Sequence, residues 1–140
     1  MSTENLHTRM ITNTKRSLLI ALALLIGVAT MAWAAGWSTF DDSAFKKAQE
    51  SGQTILVDFH ATWCPVCAQQ KPALDKILSE KEFQGVKALV ADYDTSTSLK
   101  KQMKIVSQST LVVFKGGKEI ARSTGVTDPA ELRALLRKGQ

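Results

Sequence analysis

The stretch VDFHATWCPVCAQQKP, residues 57–72, holds both cysteines of the 140-residue chain, Cys64 and Cys67, with two residues between them. It begins inside TILVDFH, a run of apolar and β-branched residues of strand length, too continuous for a strand with one wet face. Such a run predicts a strand in the middle of a sheet covered on both sides, and its one charge is Asp58. From Cys64 onward, Val66, Ala68, Leu74, Ile77 and Leu78 recur at helical spacing, with Pro72 inside the segment. Proline removes a backbone donor and crowds the preceding turn, so a kink is expected there.

The pair has three possible uses. A tetrahedral zinc site needs about four ligands, usually two CxxC or CxxH pairs. Beyond residue 34 this chain offers one pair and one histidine, His60. A structural disulfide spanning two residues would restrain very little chain entropy. Redox chemistry remains, and the placement favours it. Cys64 follows a strand at the point where a helix begins, so unpaired N–H groups and the positive end of the helix dipole stabilise its thiolate. Its pKa is expected in the range of about 3.5 to 7.5 found at such positions. Cys67, one turn further in, is expected to be more buried and less acidic. An accessible Cys64 then attacks a substrate disulfide, and Cys67 attacks the mixed disulfide to release the product.

Around this segment the spacing predicts α, β, α, β, α, β, β, α, preceded by a short strand near Trp37. Asp41 or Asp42 caps a helix carrying Ala44, Phe45 and Ala48 that ends at Gly52. VKALVAD reads as a second buried strand, and TSTSLKKQM as a short helix with hydroxyl caps. TLVVF, KGGK and EIARST read as a hairpin, because two glycines take the positive φ angles of a tight primed turn. Asp128, Pro129 and Glu131 mark a helix start, followed by an apolar face of Leu132, Leu135 and Leu136. This order predicts an α/β fold with helices on both faces of the sheet and an antiparallel hairpin at one edge.

The segment ILVDFHATWCPVC resembles the active-site segment of the thioredoxin family, whose usual form is DFWAxWCGPC. Pro72, five residues after the second cysteine, is similar to the family's helix-kinking proline. VADYD resembles its third strand, and STLVVFKGGKEIARSTG its closing hairpin and following glycine. The resemblance covers residues 37–138 and implies the thioredoxin fold, a central mixed sheet with helices on both faces. It implies that Cys64 and Cys67 are the catalytic pair and that Asp58 is the buried carboxylate that relays a proton to or from Cys67. Physical chemistry agrees, since burial in an apolar strand raises a carboxyl pKa toward neutrality. Trp63, Pro65, Val66, Ser109 and Thr110 carry over as the surface that meets substrate, and His60 replaces a second aromatic, as a neighbour whose ionisation modulates the pair.

Two departures stand out. Pro65-Val66 replaces the Gly-Pro between the cysteines, a position that tunes redox potential in the family. Gln108-Ser109-Thr110-Leu111 stands where the family has a cis-proline in a pattern like IPTL. A non-proline cis bond costs about 3 to 4 kcal/mol, so the Gln108–Ser109 peptide is expected to be trans. The family's proline loop faces the CxxC and docks substrate backbone; with Ser109 there, the cysteines are expected to be more open to a metal.

The first 34 residues read differently. Arg9, Lys15 and Arg16 precede an uncharged apolar run over residues 18–36, with Ala32 and Ala34 in an A-x-A arrangement. This is the outline of a signal peptide, or of an uncleaved anchor about one bilayer long. Either places residues 35–140, a single thioredoxin-like domain, outside the cytoplasm, in the periplasm. The leader holds three of the 18 basic and one of the 13 acidic residues, so the domain carries 15 minus 12, or +3. No basic run interleaved with aromatics points to a nucleic-acid groove. The expected function is a periplasmic thiol–disulfide oxidoreductase that reduces protein disulfides. It is expected to be a monomer, to need no cofactor beyond its own disulfide, and to draw electrons from a membrane-embedded thiol donor. The alternatives are a dithiol oxidase or isomerase, and a metal-binding module in which two protomers share a copper or iron–sulfur centre through four thiolates.

Overall fold

The computed structural model describes residues 36–140. The leader and its cleavage or anchoring lie outside the described residues. Among those described, no helix is long and apolar enough to cross a membrane.

Five strands form one mixed sheet: β1 (Ser38–Thr39), β2 (Thr54–His60), β3 (Lys87–Asp92), β4 (Thr110–Lys115) and β5 (Lys118–Thr124), in the order β1-β3-β2-β4-β5. β2 lies at the centre, parallel to β3 and antiparallel to β4, with Asp58 opposite Val90 on one side and Leu111 on the other. Thr54 to Phe59 are all buried, as the unbroken apolar run requires. The glycines of the β4–β5 turn have φ of 52° and 79°, both in the left-handed region that a primed two-residue hairpin needs. β5 closes one edge and exposes Lys118 and Glu119, which discourages pairing with another chain.

Among the described residues, four helices cover the two faces. α1 (Asp42–Glu50) and α3 (Thr97–Gln102) pack one side over Ile55, Val57, Phe59, Leu89 and Val112. α2 (Pro65–Ser79) and α4 (Pro129–Arg137) pack the other over Leu56, Leu111 and Val113. Side chains alternate along a strand, so Asp58 falls on the face of Leu56, under α2. The expected caps are present: Asp41 accepts from the Ala44 N–H at 2.8 Å, and Asp128 accepts from Ala130 and Glu131 at 2.9 and 3.0 Å. α2 continues through Pro72 to Ser79. A 3-10 turn over Lys81–Phe83 buries Phe83 completely against α2 and α4, an element that the sequence reading did not anticipate.

Leu132 is fully buried between α4 and the sheet. Leu132→Ala removes that contact and leaves a cavity, so its unfolding free energy in urea should fall by about 2 to 5 kcal/mol. A loss under 1 kcal/mol would show that this layer is loosely packed.

Candidate active site

The C-terminal end of β2 is where the chain brings its redox and titratable groups together. Two flanking loops are pinned there by backbone hydrogen bonds: Tyr93 N–H to the His60 carbonyl at 2.8 Å, and Ser109 N–H to the Phe59 carbonyl at 2.9 Å. Between them the chain turns at Ala61, whose carbonyl accepts from the Cys64 N–H at 3.2 Å, and enters α2.

Cys64 is the N-cap of α2. Its backbone is extended, Pro65 occupies the first helical position, and the Cys67 N–H donates to its Sγ at 3.1 Å. The sulfur therefore takes the place that a Ser or Asp oxygen fills at other helix starts, facing orphan N–H groups that favour negative charge. Cys64 and Cys67 are joined as a disulfide, with Cα atoms 5.3 Å apart.

The expectation of an open Cys64 with Cys67 behind it needs correction. Their exposures are 2% and 1%, because Ala61, Val66 and Tyr93 pack around the pair. Ser109 completes the cover. Its hydroxyl lies 3.0 Å from the Cys64 Sγ and 3.1 Å from the Cys67 Sγ. The Gln108–Ser109 peptide is trans as expected, and Ser109 takes a left-handed φ of 58°. Its side chain thus turns inward onto the sulfurs. Thr110, grouped with Ser109 as substrate surface on the sequence, is also turned in: its hydroxyl donates to the Ser107 carbonyl and meets that of Thr124, each at 2.8 Å. The exposed rim consists of Trp63, which is 58% exposed, and Pro65, with Val66 half-buried. The Trp63 Nε1 donates to Asp94 at 2.8 Å and so fixes the indole beside the pair.

Asp58 is buried at the base of the site, and one of its carboxylate oxygens has no hydrogen-bond partner. Desolvation pushes its pKa up to about 6; the charge of His60 is the main opposing influence, with a smaller one from Lys71. His60 Nδ1 lies 3.6 Å from the other oxygen, too far for a hydrogen bond but close enough for an electrostatic contact. Among the described residues, no group of three or more His, Cys, Asp or Glu side chains is placed to hold a metal ion.

Gln70 belongs to the site although the sequence reading passed over it. Buried one turn beyond Cys67, it donates its Nε2 to the carbonyls of Ser109 at 3.3 Å and Val126 at 2.7 Å. It clamps the Ser109 loop to the segment after β5. The signal was legible, since Cys67, Gln70, Leu74 and Ile77 share the inward phase of α2, and a glutamine there has to find buried partners.

A helix-capping CxxC at the end of a central strand defines a thiol–disulfide oxidoreductase. The thioredoxin family model matches residues 37–138, and the chain belongs to that family. A thioredoxin from Chlamydia trachomatis is 37% identical over 86 residues, which cover 61% of this chain and 82% of that protein. A bifunctional thioredoxin reductase/thioredoxin from Mycobacterium leprae is 37% identical over 97 residues; the match spans 69% of this chain and only 20% of that longer protein. Among solved structures, Trxlp from Edwardsiella tarda superposes with a TM-score of 0.70 at 34% identity, covering 72% of this chain and 98% of that one.

Folding raises the affinity of Asp58 for its proton. The carboxyl therefore costs least where it is protonated, and stability is lost as pH rises from about 4 to about 6. Asp58→Asn removes that cost. Relative to the native chain it should gain about 2 to 3 kcal/mol at pH 7.5, at about 1.4 kcal/mol per pH unit, and almost nothing at pH 3.5. Denaturant melts at the two pH values check this; an equal gain at both would contradict a raised Asp58 pKa.

Proposed function

We propose that the protein works outside the cytoplasm, in the periplasm, as a reductant of protein disulfides. The observation that supports the reductant direction is the buried Asp58 in the strand that leads to the helix-capping CxxC, because this arrangement resembles that of thioredoxin itself. A carboxylate whose pKa is raised to about 6 is mostly ionised at neutral pH, yet binds a proton more readily than an ordinary aspartate.

The reaction then runs in two exchanges. The Cys64 thiolate attacks one sulfur of the substrate disulfide; a Cys64–substrate S–S bond forms, the substrate S–S bond breaks, and the leaving thiolate takes up a proton. Cys67 next gives its proton to Asp58, and its thiolate attacks the Cys64 sulfur. The Cys64–Cys67 disulfide forms and the second substrate thiolate departs, taking up a proton in turn. Two electrons pass from the pair to the substrate; of the two protons that its thiols take up, one comes from Cys67 by way of Asp58 and one from solvent, and no cofactor beyond the pair enters the balance. Because the sulfurs are buried, substrate has to approach over the rim of Trp63, Pro65 and Val66.

The export reading is supported by Arg9, Lys15 and Arg16 ahead of the uncharged apolar run. With no NADPH supply outside the cytoplasm, the oxidised pair needs a membrane-embedded thiol protein to return it to the dithiol. The domain acts as a monomer that meets both partners at the same rim.

Two measurements test this reading. Equilibration with glutathione should place the pair potential well below about −200 mV, whereas a value near −120 mV would make the protein an oxidant. Cys67→Ala, expressed from the full chain in a bacterium with a periplasm, should be recovered there as a mixed disulfide between Cys64 and an integral membrane protein. Retention in the cytoplasm, or export without such a partner, would count against the placement and the electron source respectively.

A further inference from the structure

We propose that the Ser109 hydroxyl is a catalytic group of the thiol–disulfide exchange: it donates its hydrogen bond to whichever of the two sulfurs is the thiolate. The proposal rests on the redox chemistry of the pair and holds for either direction of electron flow.

Ser109 Oγ lies nearly equidistant from the two sulfurs, at 3.0 and 3.1 Å, both within range of an O–H···S contact. A hydroxyl has one proton to donate. That limit matches the chemistry, because each step has one thiolate: Cys64 in the reduced enzyme, Cys67 in the mixed disulfide. Rotation about the Cβ–Oγ bond passes the donor from one to the other without moving the loop. A hydrogen bond to a charged acceptor is about twice as strong as one between neutral groups, so the hydroxyl favours the thiolates over both the thiols and the disulfide.

The surroundings hold Ser109 in this position. Its left-handed φ of 58°, uncommon for a residue with a Cβ, aims the side chain at the sulfurs. Three hydrogen bonds fix its backbone: its N–H to Phe59, its carbonyl from Gly125 at 3.0 Å, and the same carbonyl from Gln70. A proline here would lack both the hydroxyl and the N–H, and could not reach this φ. Of the ionisable groups on the elements around the pair, Tyr93 after β3 packs against it, Asp58 and His60 of β2 face each other with Lys71 of α2 acting on Asp58, and Asp94 holds Trp63; the ionisable side chain of β4, Lys115, lies at its other end beside Thr54. From the β4 side, the hydroxyl is therefore the polar group that meets the sulfurs.

Two substitutions separate the hydroxyl from the backbone. Ser109→Ala and Ser109→Gly both remove the donor, but glycine accepts the positive φ freely and alanine does not. Thiolate absorbance of the reduced full chain near 240 nm, followed against pH, should show the lower cysteine pKa rising by about one unit in both variants. Alkylation one pH unit below the native pKa should slow about threefold in both, the roughly ninefold loss of thiolate being partly offset by its greater nucleophilicity, and equilibrium with glutathione should move up to about tenfold toward the disulfide, or about 30 mV lower in potential. Thermal melts should rank glycine above alanine while the two pKa values agree. An unchanged pKa in both variants, or a rise in the alanine variant alone, would overturn the proposal, the latter by assigning the effect to backbone strain.

Discussion

The site depends on a helix start without an oxygen cap. α2 begins where β2 ends, and the atom that meets its first free N–H groups is the sulfur of Cys64. A neutral thiol accepts such hydrogen bonds poorly, and a thiolate accepts them well. The groups that set the helix boundary therefore also favour the ionised, reactive form of Cys64 once the disulfide is reduced. The rest of the fold holds that junction still: β2 is fixed between two neighbours, and Tyr93 and Ser109 tie the loops on either side to its last residues.

Against this stands the cost carried by Asp58. A carboxylate buried in the centre of the sheet, with one oxygen unpaired, opposes folding at neutral pH. Packing the same position with Leu or Val would extend the apolar face of Leu56 and Leu111. Sequences break local rules of this kind mainly where function needs the exception, and the proton transfer proposed between Asp58 and Cys67 would be such a need. On that proposal, stability and turnover are coupled through one side chain.

Much of this was legible in the residues. The continuous apolar run of β2 announced a central strand, Asp41 and Asp128 announced helix starts, and paired glycines announced the hairpin, because each signal acts over a few neighbouring positions. The cysteine spacing and the thioredoxin-like segment carried the chemistry. What stayed hidden was set by contacts distant in sequence. Phe83 is core only because α2 and α4 converge on it, and the burial of Cys64 depends on Ser109, 45 residues away. The sequence did show that Ser109 departs from the family's proline and that its peptide would be trans. It did not show that the backbone would turn left-handed there and bring the hydroxyl onto both sulfurs. The phase of α2 places Gln70 inside and so demands buried partners, but no local pattern reveals that these are the carbonyls of Ser109 and Val126.

The central claim is that helix capping ionises one sulfur of the pair well before the other. Its most direct test is iodoacetamide alkylation of the fully reduced protein across pH 4 to 10, with each modified cysteine located by mass spectrometry. Capping predicts that Cys64 reacts first, with a midpoint below about 7.5, and that Cys67 follows only above about 8.5. Two coincident profiles near the free-cysteine value, or modification of Cys67 first, would contradict it.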